Sequence, residues 1–196
     1  KSIEQFNLAI KFNNSFYQAY YNIAIAQTFM GNINEAQNNY LKAIKINKNY
    51  FQAYNNLGSI LIKTNKSKEA IKFLKLALSI KQNYIEAITN LGVANLELKQ
   101  YENALFYFNK ALSIKPFCVK SLTQKLYLMR KICDWSEDSF LDKNLKVINK
   151  SEIGVTPWQL LSLDDDPKIE FVRAKKYGDQ FIFKKFDTNY KNPKIK

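Results

Sequence analysis

A repeat of 34 residues constrains this chain more than any other feature of its sequence. Three consecutive blocks, 17–50, 51–84 and 85–118, hold matching residues at the same internal positions. Position 8 is small, positions 20 and 27 are alanine, and position 24 is large. These positions hold Ala24, Gly58 and Gly92; Ala36, Ala70 and Ala104; Ala43, Ala77 and Ala111; and Tyr40, Leu74 and Phe108. A repeat of this length indicates one supersecondary unit stacked on its copies.

The spacing inside each block predicts two helices. Positions 4, 7, 8 and 11 lie on one face of a first helix, and positions 20, 24 and 27 on one face of a second. Neither helix can bury its apolar stripe alone, so the blocks are predicted to form an all-α, right-handed α-solenoid with a concave inner wall. The predicted helices span 18–30, 34–47, 52–64, 67–81, 86–98 and 101–114.

Residues 1–16 match the second half of a further block. Phe6 and Ala9 fall at positions 24 and 27 of that block. We therefore interpret residues 1–16 as a partial repeat and expect the natural N-terminus to lie further upstream. A lone capping helix is the alternative interpretation.

Composition excludes several function classes. The net charge of +13 invites a nucleic-acid interpretation, but only Arg130 and Arg173 are arginine, and A/T-rich codons account for the lysines. We expect no nucleic-acid partner, no membrane span, and a cytoplasmic location. The chain has no histidine, and Cys118 and Cys133 show no metal-binding spacing. We therefore assign no catalytic, cofactor-binding or metal-binding residue.

Asparagine recurs at position 6 of every block, as Asn22, Asn56 and Asn90. An asparagine amide can donate to a peptide C=O and accept from its N–H at once. Neighbouring first helices lie roughly 10 Å apart, and an extended peptide advances about 3.3 Å per residue. These three residues are therefore predicted to bind acceptor proteins or peptides in extended form, one asparagine per three ligand residues. Simple solvation of an asparagine-rich surface is the alternative.

The block pattern, with Pro116 at position 32, resembles the tetratricopeptide repeat. Some members of that family clamp a C-terminal carboxylate with lysine at position 5 and asparagine at position 9. Neither residue type stands at its required position in any block, so this clamp is rejected. Those positions hold Tyr21 and Ile25, Asn55 and Ser59, and Thr89 and Val93.

From Val119 the block pattern starts once more, with Leu122 at position 4, and then breaks down. We expect a helical capping and linker segment at 119–178, with Trp135 packed on the last solenoid helix, and an extended tail at 179–196. A Cys-Asp-Trp-Ser segment begins at Cys133, and a Thr-Pro-Trp-x-Leu-Leu-x-Leu-x-Asp-Asp-Pro segment begins at Thr156. Repeats followed by these segments resemble the protein O-linked N-acetylglucosamine transferase family in its bacterial form. The related plant-type O-fucosyltransferases share this plan.

That resemblance implies a peptide-binding arm and linker of a glycosyltransferase. The family's asparagine ladder holds acceptor peptides, and its two-lobed GT-B catalytic unit binds a UDP-sugar donor. The catalytic unit would follow Lys196 and is missing from this sequence, so we expect no cofactor site in this chain and a missing C-terminal lobe as a partner. Animal members carry histidines in the segment matching 156–163, and this chain has none. A stand-alone scaffold for protein assembly, or an arm of an O-fucosyltransferase, are the alternatives.

Overall fold

The computed structural model describes residues 2–133, which form eight helices joined by short turns and contain no β-strand. The helices are α1 (Ser2–Phe12), α2 (Tyr17–Met30), α3 (Ile33–Ile46), α4 (Phe51–Lys63), α5 (Ser67–Ile80), α6 (Ile85–Glu97), α7 (Tyr101–Ile114) and α8 (Val119–Lys131). The six helices predicted from the blocks are confirmed, and no boundary differs by more than one residue. The all-α solenoid is therefore confirmed. The linker from Asp134, including Trp135, and the tail at 179–196 lie outside the described residues.

Each block folds as a helix pair that packs on the next pair. Helices α2, α4 and α6 are the first helices of the three blocks, and α3, α5 and α7 are the second helices. Every second helix before α7 also packs on the first helix of the following block, and α4 contacts α6 directly. The first helices therefore stand in one row.

Small residues set the distance between the two helices of a pair. The alanines at positions 20 and 27 are fully buried in all three blocks. A Cβ atom at Gly58 would lie 2.7 Å from Cγ of Leu74, and one at Gly92 would lie 2.6 Å from Cδ1 of Phe108. Since carbon atoms do not approach that closely, the large side chain at position 24 occupies the space that a larger position-8 residue would need. Position 8 is therefore a point of close approach between the helices of a pair.

The turn after each first helix ends in the same hydrogen bond. The backbone N–H of Asn32 donates to the carbonyl of Gln27 at 2.9 Å, and Lys66 and Gln100 repeat this bond in the next blocks. Such a bond requires a left-handed residue just before it, and Gly31 supplies it with φ of 84°. Asn65 and Lys99 adopt the same conformation, with φ of 60° and 59°. The turn between the two helices therefore has the same conformation in all three blocks.

The chain divides into two units between Lys115 and Pro116. Helix α8 begins the second unit, and its Leu122 is buried, as expected for position 4 of a fourth block. Among the described residues, no helix is long and apolar enough to cross a membrane.

The close approach at position 8 makes Gly92 intolerant of a side chain. We expect Gly92→Ala to lower the free energy of unfolding by about 1–2 kcal/mol, because overpacking against Phe108 outweighs alanine's better helix propensity. Urea unfolding followed by circular dichroism measures this. The control is Gly31→Asn, at an exposed left-handed turn with open space around it, which should cost less. Equal stability of Gly92→Ala and the natural chain would contradict the packing argument.

Candidate functional site

The three asparagines of position 6 occupy equivalent places on the first helices, but their exposure differs. Asn22 in α2 and Asn56 in α4 are half-buried. Asn90 in α6 is only 5% exposed. The structure therefore leaves Asn22 and Asn56 accessible from outside, whereas Asn90 is almost covered. The peptide-binding role of all three stays a prediction.

Two of these asparagines belong to a chain of hydrogen bonds that crosses the blocks. The amide of Asn90 donates to Oδ1 of Asn55 at 2.9 Å, and the amide of Asn55 donates to Oδ1 of Asn56 at 3.1 Å. The amide of Asn56 donates to the hydroxyl of Tyr21 at 3.1 Å and, more weakly, to that of Tyr40 at 3.5 Å. We call these five residues the asparagine–tyrosine chain. It connects α6, α4, α2 and α3.

Asn55 is the residue that the sequence pattern did not reveal as part of the site. It stands at position 5, where the repeat pattern predicts no site residue. In the structure Asn55 is 5% exposed and joins Asn90 to Asn56 through both ends of its amide. The available signal was that position 5 is polar in every block, as Tyr21, Asn55 and Thr89, directly before the recurring asparagine.

A pocket of about 260 Å³ opens between α2 and α4 at the Asn56 end of the asparagine–tyrosine chain. Its lining residues are Ile25, Thr28, Phe29, Tyr40, Asn56, Ser59, Ile60 and Lys63. Most of this wall is apolar, and the polar groups are one amide, hydroxyls and the ammonium of Lys63. Such a mixture suits a peptide, because a side chain can enter the pocket while polar groups meet its backbone.

An aromatic cluster lies at the junction of α2 and α4, around the starts of these two helices. The ring of Tyr50 lies 4.9 Å from that of Tyr17 and 4.8 Å from that of Tyr21, both edge-to-face. The first of these pairs joins positions 1 and 34, and Phe51 and Tyr84 repeat it one block later at 4.9 Å. Edge-to-face contacts contribute roughly 0.5–1.5 kcal/mol each beyond their burial. They hold the start of each first helix against the preceding one.

The environment of these tyrosines keeps their hydroxyls protonated. Burial raises the pKa of Tyr50 to about 12 and that of Tyr84 to about 12, with neighbouring charged or ionisable groups as smaller causes. Burial also raises the pKa of Tyr21, and the hydrogen bond from Asn56 opposes that rise. Tyr21 therefore keeps its hydroxyl hydrogen at neutral pH and can donate it.

Within residues 2–133 no group of three or more His, Cys, Asp or Glu side chains could hold a metal ion. The two cysteines are free thiols, Cys118 partly buried and Cys133 exposed. The arrangement therefore offers hydrogen bonds, apolar contact and charge as its means of binding.

Residues 30–118 of the chain are tetratricopeptide repeats. Family patterns described as tetratricopeptide repeat match residues 51–84 and 85–118, which are two of the blocks, and one described as TPR repeat matches residues 30–65. No curated protein matches the chain.

Solved structures of tetratricopeptide proteins share the fold. MamA from Desulfovibrio magneticus RS-1 is 20% identical, with 74% of this chain and 81% of that chain covered and a TM-score of 0.65. YrrB, described as a TPR protein with an unusual peptide-binding site, is 18% identical, with coverages of 90% and 92% and a TM-score of 0.62. The first TPR of Spaghetti (RPAP3), bound to the HSP90 peptide SRMEEVD, is 17% identical, with coverages of 60% and 93% and a TM-score of 0.57. At these identities the likeness shows the fold alone.

The buried tyrosines predict a loss of stability at alkaline pH. A tyrosine in the unfolded chain has a pKa near 10, whereas those of Tyr50 and Tyr84 are about 12 in the folded chain. Their contribution to stability is fully present below about pH 10 and is lost as the pH rises through about 12. Tyrosinate absorbance should therefore show a step near pH 12 that is missing from the urea-unfolded chain. Tyr50→Phe should reduce that step, and titration of every tyrosine near pH 10 would contradict the burial.

Proposed function

We propose that this chain binds polypeptide segments in extended form along the row of first helices α2, α4 and α6. The observation that carries this proposal is the asparagine–tyrosine chain, which ends at a pocket between two of those helices. It presents oriented polar groups beside an apolar cavity, which is the combination that a peptide backbone with side chains requires.

The hydrogen-bonding capacity left at the end of this chain matches a peptide unit. Oδ1 of Asn56 accepts one bond, from Asn55, and a carbonyl oxygen has two lone pairs. The hydroxyl of Tyr21 accepts from Asn56 and retains its own hydrogen as a donor. Asn56 can therefore accept from a peptide N–H while Tyr21 donates to a peptide C=O. Asn22, one block earlier and half-buried, adds a second amide in the same row.

The role of Asn90 follows from its burial. Because Asn90 is 5% exposed and bonded to Asn55, we propose that it acts through Asn55 and Asn56 rather than by touching the peptide. It is a positioning residue, which holds the Asn55 amide so that the Asn56 amide keeps one orientation. A preoriented amide loses less side-chain entropy on binding than a free one.

Two of the structures that share the fold support peptides as the ligand class. The descriptions of YrrB and of the Spaghetti repeat name a peptide-binding site and a bound peptide. Repeats that bind a ligand through its backbone tolerate many ligand sequences. The proposed partners are therefore a class of peptide segments rather than one protein.

A second proposal assigns this binding region to a protein glycosyltransferase. Its support is the pair of segments that begin at Cys133 and Thr156, which resemble the linker of the O-linked N-acetylglucosamine transferase family. In that case the bound segment is the acceptor, and a UDP-sugar would be held by a catalytic unit following Lys196. A stand-alone assembly scaffold, or an O-fucosyltransferase arm, would use the same peptide row.

Removing the accessible amides should weaken binding without unfolding the chain. We expect the double variant Asn22→Ala, Asn56→Ala to bind roughly tenfold more weakly, since each hydrogen bond contributes about 0.5–1.5 kcal/mol net. Fluorescence anisotropy with a labelled peptide, selected on the natural chain from a random library, measures this. Asn109→Ala, at an exposed position of α7, is the control and should bind normally.

Urea unfolding, measured beside the anisotropy, separates binding from stability. Adding Asn90→Ala should weaken binding further and also lower the urea midpoint, because Asn55 loses its buried partner. Unchanged affinity of the double variant, with helicity intact, would remove the asparagines from the proposed site.

The glycosyltransferase proposal predicts that this chain binds the peptide and that a separate catalytic unit binds the sugar donor. The 196-residue chain alone should neither bind a UDP-sugar nor transfer its sugar, because its sequence shows no phosphate-cradling motif. Calorimetry tests this, and saturable binding would contradict it. The coding DNA beyond Lys196 should encode a Rossmann-like strand and an Asp-Phe-x-x-His motif. A stop codon followed by nothing similar would instead favour the scaffold.

A further inference from the structure

Position 13 differs among the blocks in a way that the core positions do not. It holds Phe29, Lys63 and Glu97, in the last turns of α2, α4 and α6. All three side chains are exposed, and Phe29 is 81% exposed although it is a large apolar residue. We call this set the position-13 row. It presents an apolar group, a cation and an anion in order along the first helices.

The row belongs to the same face as the proposed backbone contacts. Along α4, Gln52, Asn56, Ser59 and Lys63 are spaced i, i+4, i+7 and i+11, which is one helical face. Asn56, Lys63 and Phe29 line the same pocket. A peptide whose backbone meets Asn56 therefore carries side chains within reach of Phe29 and Lys63.

The spacing of the row fits one peptide conformation better than another. Neighbouring first helices lie about 10 Å apart. A polyproline II segment has three residues per turn and a rise of about 3.1 Å, so every third side chain returns to the same side after about 9 Å. In a β-strand successive side chains alternate, so residues three apart point to opposite sides. Only the polyproline II form presents one side chain to each helix in turn.

We propose that the position-13 row selects peptides, bound in polyproline II form, that carry an apolar, an acidic and a basic side chain at every third position. The acidic side chain pairs with Lys63, the basic one with Glu97, and the apolar one packs on Phe29 at the pocket. This rests on the proposed peptide-binding function and adds to it a rule for the ligand's sequence.

The order of charges separates this selection from general attraction. The net charge of +13 draws any acidic peptide toward the chain, but it cannot distinguish two peptides of identical composition. A cation and an anion one block apart can, because exchanging the two charges of the ligand turns two attractions into two repulsions.

Two labelled peptides of one composition provide the test. The first has leucine, glutamate and lysine at its first, fourth and seventh positions on a serine background, and the second exchanges glutamate and lysine. Both are also made in reversed sequence, since the peptide can run in either direction. With the full chain, the better orientation of the first peptide should bind roughly three- to tenfold more tightly than either form of the second.

A charge swap in the protein shows whether Lys63 and Glu97 cause the preference. The double variant Lys63→Glu, Glu97→Lys keeps the net charge and should reverse the preference. The double variant Glu69→Lys, Lys75→Glu, at exposed positions of the paired helix α5, also keeps the net charge; it is the matched control and should keep the original preference. Equal binding of both peptides, or an unchanged preference in the swapped variant, would overturn the selection rule and leave backbone binding intact. Failure of every peptide to bind would overturn the proposed function together with the rule.

Discussion

The contact between the large side chain at position 24 and the small residue at position 8 determines the geometry of each helix pair. Leu74 and Phe108 are fully buried against Gly58 and Gly92, in space that a Cβ atom would fill. Because interiors are close-packed, this contact fixes how near the second helix lies to the first. Repetition of the contact in every block makes the first helices a regular row. Any ligand that contacts several blocks depends on that regularity.

The proposed site differs from an ordinary surface because its polar groups extend into the core. Burying an amide is costly unless it is hydrogen-bonded, and the buried amide of Asn90 donates to Oδ1 of the buried Asn55 at 2.9 Å. The bond from the Asn55 amide to Oδ1 of Asn56 orients Asn56, whose own amide donates to the hydroxyls of Tyr21 and Tyr40. Stability and ligand orientation are therefore linked at positions 5 and 6. Without Asn55, Asn56 would keep only its bonds to the two tyrosine hydroxyls.

The sequence predicted the helices almost completely because their signals are local and repeated. Alanine at positions 20 and 27 and a large residue at position 24 define a face whatever the neighbouring block does. The asparagine–tyrosine chain was not predicted, because the bond between Asn55 and Asn90 joins residues 35 apart and depends on how α4 and α6 are rotated. Position 6 therefore looked uniform in sequence, although Asn22 is half-buried and Asn90 is nearly covered. Periodicity specifies which face a residue occupies and leaves its pairing undetermined.

Positions that hold the same kind of residue in every block differ in role from positions that vary among the blocks. Core positions agree, since each block must fit the same neighbours, and a change there costs packing energy everywhere the contact recurs. The side chains at position 13 are exposed and do not pack in the core. An apolar, a positive and a negative residue can therefore occupy this position without altering the solenoid. Selectivity placed at such a row can change by single substitutions at little cost in stability. In the proposed function, backbone contacts at position 6 would provide affinity for many segments, and the exposed row would provide the means of choosing among them.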